Sequence, residues 1–138
     1  MTDIATIENK ITALRKYLNI LADYKKYSKD EIENDLTLRG AVERYLYLAT
    51  QSVIDLAEAM IAHKNFRKPT TMGESFYVLK EENIVTQELT DKMIRLVGFR
   101  NVIAHEYEKV NFDIVYDVLQ NRLIDIEEFI SAINSFLE

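Results

Sequence analysis

The stretch Arg100-Asn101-Val102-Ile103-Ala104-His105-Glu106-Tyr107 places an Arg, an Asn, a His and a Tyr in an apolar run that otherwise predicts an α-helix. It holds one of only two histidines in the chain. On an ideal helix Arg100 and His105 lie about 140° apart around the axis, whereas Asn101 and His105 have the four-residue spacing of helical neighbours. We therefore expect the Asn101 amide to hydrogen-bond the His105 ring and to fix its orientation. Tyr107 follows near the expected helix end, where its phenol can stay exposed.

These side chains are suited to phosphate chemistry. The Arg100 guanidinium has a permanent charge and a fork of donors that matches phosphate oxygens. The His105 imidazole can transfer a proton near neutral pH. An Arg and a His five residues apart on a helix are nevertheless more often solvated surface residues. The spacing by itself therefore leaves both interpretations open.

The helix that contains this motif is expected to begin after a cap at Thr86 and to end near His105. Its core side is predicted to carry Leu89, Met93, Leu96 and Ile103. Gly98 interrupts it at a cost of about 1 kcal/mol relative to Ala. A glycine here is expected where another backbone or a substrate comes close. A helix crossing within the monomer explains it equally well.

The rest of the chain has the same helical periodicity. Apolar residues at three- and four-residue spacing predict further helices over 3–26, 35–62, 73–82 and 112–137, the last capped by Asn111. Ser28-Lys29-Asp30-Glu31 has the pattern of a capping box, and Pro69 breaks the loop 65–71. The prediction is an all-α fold: an antiparallel four-helix up-and-down bundle with one additional short helix, in a single domain spanning 1–138.

Composition excludes several classes of protein. The chain has 138 residues and no cysteine, so disulfides, thiolate metal sites and a Cys nucleophile are excluded. No second His lies at ligand spacing from His105, and no glycine-rich phosphate loop is present, so we expect no metal, no cofactor and no nucleoside-triphosphate hydrolysis. Neither a signal peptide nor an apolar membrane span is apparent, and we expect a cytoplasmic protein. The net charge of −6 argues against purely electrostatic nucleic-acid binding.

Two other features have modest interpretations. His63 is expected at a helix end, where it is more often structural or solvated than functional. Lys64, Arg67 and Lys68 make the loop basic, and such a loop is more often solvated than bound to phosphate.

The motif Arg100-x4-His105-x-Tyr107, preceded by Val97-Gly98-Phe99, resembles the signature of the HepT-like HEPN family of prokaryotic toxin–antitoxin modules. The similarity extends over nearly the whole chain. It includes Arg39-Gly40-Ala41-Val42-Glu43-Arg44, which opens the second helix, and Gly73-Glu74-Ser75-Phe76, which opens the short third helix.

The resemblance implies a metal-independent ribonuclease toxin of a type VII-like toxin–antitoxin system. It implies an obligate homodimer with a cleft between the two motifs, in which Arg100 and His105 are catalytic and Asn101 supports the ring or the phosphate. It also implies that an MntA-like nucleotidyltransferase antitoxin modifies Tyr107 with AMP. The expected substrate is RNA; neither DNA nor a membrane is an expected partner.

Elementary chemistry is compatible with these expectations. When a ribose 2′-hydroxyl attacks the adjacent phosphorus, one group removes its proton and another protonates the leaving oxygen. One His105 performs one of these transfers at a time, and a twofold dimer supplies the second copy. Two alternatives remain: a non-catalytic module that holds a nucleotidyltransferase partner or a nucleotide, and a purely structural helical dimer.

Overall fold

A computed structural model of the chain describes residues 3–105 and 110–137. The helices are α1 (Ile4–Tyr24), α2 (Lys29–Glu33), α3 (Leu36–Lys64), α4 (Glu74–Glu81), α5 (Gln87–His105), α6 (Phe112–Asp117) and α7 (Leu123–Leu137). A π-helical turn, Val118–Arg122, joins α6 to α7 without a break. The helix predicted over 112–137 is therefore present, but with one wider turn inside it. The prediction of an all-α bundle is confirmed, and no strand occurs within the two described ranges.

Local side-chain caps explain where the helices begin. The Ser28 hydroxyl accepts from the Glu31 amide at 3.1 Å while the Glu31 carboxylate accepts from the Ser28 amide at 2.9 Å, which confirms the capping box. Thr86 Oγ1 accepts from the Leu89 amide at 3.1 Å. Asn111 Oδ1 accepts from the Asp113 amide at 2.9 Å. Each cap satisfies a backbone N–H that the first turn of its helix leaves unpaired.

The long helix α3 is the centre of the bundle. It packs against α1, α2, α4 and α5, and α5 packs in turn against α4 and α7. One hydrophobic cluster of buried residues extends from Ile7 to Ile133. This continuous cluster supports the prediction of a single domain, which stays a prediction.

The core predicted for α5 is correct, since Leu89, Met93, Leu96 and Ile103 are all buried. Two residues that continue the apolar spacing of the predicted helices 3–26 and 112–137 are not in the core: Ile4 is 45% exposed and Phe136 is 38% exposed. Both lie in a terminal turn of their helix, where the neighbouring helices cover less of the surface. Phe136 packs edge-on against Phe66, with ring centres 6.4 Å apart.

The described helices include none that combines the length and the hydropathy required to cross a membrane.

Candidate active site

Arg100 lies where α5 packs against the middle of α3. Its Nε donates to Gln51 Oε1 at 2.7 Å, and its Nη1 donates to Asn101 Oδ1 at 3.1 Å. The guanidinium carbon lies 5.5 Å from the centre of the Tyr47 ring, within the range of a cation–π contact. The side chain is half-buried. These contacts orient the guanidinium, and within residues 3–105 and 110–137 its remaining N–H groups have no other partner and are available for an anion.

Gln51 is itself fixed by a second hydrogen bond. Its Nε2 donates to Asp55 Oδ1 at 2.9 Å, so its Oε1 is turned towards Arg100. Sequence reasoning missed Tyr47, Gln51 and Asp55. Their spacing of four residues could have indicated them, because it predicts a row of polar side chains along one side of the second predicted helix.

Asn101 pairs with Arg100 and not with His105. The expected hydrogen bond between the Asn101 amide and the His105 ring is absent from the described contacts, so that expectation was wrong. The reason is that a guanidinium is a charged donor, and the Asn101 oxygen accepts from it at 3.1 Å. The supporting role of Asn101 stays a prediction, now through Arg100 and not through the ring.

His105 is the last described residue of α5, and its side chain is exposed. Tyr107 lies outside the described residues, as do its neighbours at 106, 108 and 109. The modification of Tyr107 therefore stays a prediction.

The outward face of α5 carries Gly98, Val102 and His105, which are three to seven residues apart and so share one side of the helix. Val102 is 41% exposed. A Cβ built on Gly98 would meet nothing within 4 Å. The glycine is thus not explained by a helix crossing within the described part of the monomer. The space beside Gly98 is open to another molecule.

Comparison with protein-family models matches residues 7–133 to the family described as Ribonuclease HepT-like. The chain belongs to this family. The family membership that the Arg100 motif predicted is therefore confirmed.

Two relatives of this HepT-like chain have nuclease names. The mRNA nuclease HepT of Shewanella oneidensis is 31% identical over 135 residues, which cover 98% of this chain and 99% of that protein. The tRNA nuclease HepT of Aphanizomenon flos-aquae is 28% identical over 139 residues, which cover 99% of this chain and 95% of that protein.

Solved structures give the same result. A tri-AMPylated Shewanella oneidensis HEPN toxin in complex with MNT antitoxin superposes with a TM-score of 0.85 and 31% identity, covering 98% of this chain and 99% of that one. A toxin–antitoxin complex with AMP-PNP has a TM-score of 0.85 and 29% identity, covering 94% and 97%.

Arg67, in the basic loop of this HepT-like protein, forms two internal ion pairs. Arg67 Nη1 lies 2.5 Å from Glu74 Oε1, and Arg67 Nη2 lies 2.7 Å from Glu81 Oε1. Hydrogen bonds from the Thr70 hydroxyl and then from Arg67 lower the pKa of the Glu74 carboxyl to about 2. Arg67 therefore joins the loop to α4, which disfavours a role in phosphate binding.

His63 lies in the last turn of α3, as expected, and is half-buried. Over the ranges 3–105 and 110–137, no group of three or more His, Cys, Asp or Glu side chains is placed to hold a metal ion.

Proposed function

We propose that this protein is a metal-independent endoribonuclease, the toxin of a type VII-like toxin–antitoxin module. The observation that carries the proposal is an oriented Arg100 guanidinium, with N–H groups that no described residue occupies, five residues from an exposed His105 on the same helix. Membership of the HepT-like family supports it, as do relatives named as mRNA and tRNA nucleases.

The proposed reaction needs no cofactor. The ribose 2′-oxygen attacks the adjacent phosphorus while His105 accepts its proton, and the bond to the 5′-oxygen of the next nucleotide breaks. A protonated His105 from a second copy supplies the proton that the leaving oxygen needs. Arg100 donates hydrogen bonds to the phosphate oxygens, where negative charge accumulates. The products are a 2′,3′-cyclic phosphate and a 5′-hydroxyl.

The test is cleavage of a single-stranded RNA by the purified protein in excess EDTA. We expect cleavage, cyclic phosphate ends, and no reaction with the same sequence made as 2′-O-methyl RNA. Cleavage that requires added Mg²⁺, or cleavage of the 2′-O-methyl RNA, contradicts the mechanism.

One alternative is favoured by the net charge of −6, which disfavours RNA binding. This alternative is a non-catalytic module that holds a nucleotidyltransferase partner or a nucleotide. It predicts a stable complex with the partner and no RNA cleavage under any condition of the same assay.

We also propose a homodimer in which the α5 helices of two copies face each other. The open Gly98 and the exposed Val102 make this face flat enough for another helix to approach, and His105 lies on the same side. Two such faces bring two copies of the motif to one cleft.

Gly98→Gln is expected to weaken the dimer while it leaves the monomer stable. The monomer has open space at this position, and Gln has a higher helix propensity than Gly. A side chain between the two helices should raise the dimer dissociation constant at least about tenfold, equivalent to about 1.4 kcal/mol.

Sedimentation over a concentration series measures this, with Glu127→Gln on the exposed side of α7 as the control. A wild-type protein that is monomeric at micromolar concentration and still cuts RNA contradicts the dimer.

The proposed partner is an MntA-like nucleotidyltransferase that attaches AMP to Tyr107. Related toxins have been solved in complex with such antitoxins, one of them tri-AMPylated. An RNA substrate and an ATP-dependent partner imply that the protein acts in the cytoplasm.

A further inference from the structure

A groove lies beside Arg100, between α3 and α5. Its volume is about 470 Å³, within the range of small-molecule sites, and it is lined by Gly40, Glu43, Arg44, Tyr47, Ile103 and Ala104. Ile103 and Ala104 belong to the motif segment that ends at His105. The groove is thus continuous with the candidate active site. Gly40 and Arg44 in its lining take no part in the chemistry proposed for Arg100 and His105.

The described side chains in and beside the groove give it a positive charge, although the chain as a whole is acidic. Among the described residues, the one carboxylate that lines the groove is Glu43, which is paired with Arg39 at 2.8 Å. Arg44 is exposed and has no ion pair with any carboxylate in the described ranges. Together with Arg100, it gives this side of the molecule two cations that no carboxylate of residues 3–105 and 110–137 neutralises. Such a groove attracts an anion.

An aromatic ring lies between these cations. The guanidinium carbons of Arg44 and Arg100 lie 5.6 Å and 5.5 Å from the centre of the Tyr47 ring. Arg44 is exposed, so a phosphate can draw it away from the ring and leave a ring face open. A phosphate beside a flat aromatic surface is the pairing that a nucleotide requires.

Gly40 keeps the rim of the groove open. It lies within α3, where Gly costs about 1 kcal/mol relative to Ala, and a Cβ there would meet nothing within 4 Å. Packing within the described chain therefore does not explain this glycine. Space for a ligand does.

We propose that this groove is a substrate subsite that binds one unpaired nucleotide of single-stranded RNA next to the cleaved phosphate. Arg44 binds the phosphate of that nucleotide, Tyr47 stacks on its base, and Gly40 leaves room for the base. The inference rests on the proposed ribonuclease function and adds to it a preference for unpaired RNA, because a base in a duplex is not free to stack on a side chain.

Steady-state cleavage of a single-stranded RNA is the first measurement. We expect Arg44→Ala and Gly40→Leu each to raise KM about fivefold to tenfold, with kcat within about twofold of wild type. Tyr47→Leu should raise KM by a similar factor and should also lower kcat, because it removes the ring that contacts the Arg100 guanidinium. Tyr47→Phe keeps the aromatic face and should stay near the wild-type KM. Arg15→Ala, which removes an exposed cation from α1, is the matched control for charge.

The second measurement does not depend on cleavage. Binding of a fluorescent single-stranded 2′-O-methyl RNA is followed by anisotropy for the same variants, with thermal melts to confirm that each is folded. We expect the three variants to lose RNA affinity in the same order in which their KM rises. We expect AMP added at millimolar concentration to displace little of the bound RNA.

The two proposals fail in distinguishable ways. RNA cleavage with an unchanged KM in Arg44→Ala and Tyr47→Leu overturns the subsite and leaves the ribonuclease in place. Binding that AMP abolishes overturns RNA as the occupant of the groove. Absence of cleavage, with RNA binding that depends on Arg44 and Tyr47, overturns the ribonuclease and keeps the subsite.

Discussion

His105→Ala should reduce RNA cleavage about 10²–10⁴-fold in kcat, the range that a positioned proton-transfer group contributes. The folded state should be almost unaffected, because the imidazole is exposed at the end of α5. Surface substitutions of this kind usually change the free energy of unfolding by less than about 0.5 kcal/mol. Single-turnover cleavage and a thermal melt measure the two effects separately.

The matched control for this variant is His63→Ala, since the chain has only these two histidines. His63 lies at the other end of α3 from Gly40 and is not part of the proposed chemistry, so its variant should cut RNA at the wild-type rate. Wild-type cleavage by His105→Ala in EDTA would show that the proposed proton transfer is wrong.

Tyr107→Phe should keep most of the ribonuclease activity and escape silencing by the antitoxin. The phenol has no role in the proposed chemistry, so its loss should change cleavage little. In the proposed modification of the wild type, an AMP on Tyr107 would add a negatively charged phosphodiester and a bulky adenosine two residues from His105. That phosphate can bind the free N–H groups of Arg100 and compete with the RNA phosphate.

The experiment incubates each protein with an MntA-like partner and ATP, then measures intact mass and RNA cleavage. Tyr77→Phe is the control, because Tyr77 on α4 is 44% exposed and should be irrelevant to modification. Addition of AMP to Tyr107→Phe, or full cleavage by an AMP-modified wild type, contradicts the proposal.

Local sequence rules predicted those parts of the fold that depend on near neighbours. The caps at Ser28, Thr86 and Asn111 are contacts over two or three residues, and each was predicted from residue type and position. The π-helical turn was not predicted. An apolar row repeated at three and four residues looks continuous in sequence, whether or not one turn holds an extra residue.

Prediction of the site was less complete, because its main contacts join distant parts of the chain. The motif identified Arg100 and His105 as candidates, but the Arg100 partner Gln51 lies 49 residues earlier. Helical spacing predicted His105 as the partner of Asn101. In the folded chain the Arg100 guanidinium donates to Asn101 instead. The groove at Gly40 and Tyr47 exists only because α3 and α5 pack together, which no local pattern specifies.

The hydrogen bonds from Asp55 through Gln51 to Arg100 have a consequence for the energetics of RNA recognition. A free arginine on the surface samples many rotamers, and immobilising such a side chain on binding costs about 0.5–1.5 kcal/mol. Here that loss of rotational freedom occurs when the chain folds, before any RNA arrives. Gln51→Ala should therefore weaken RNA binding through a less favourable binding entropy, although the Gln51 side chain touches no substrate in the proposed site.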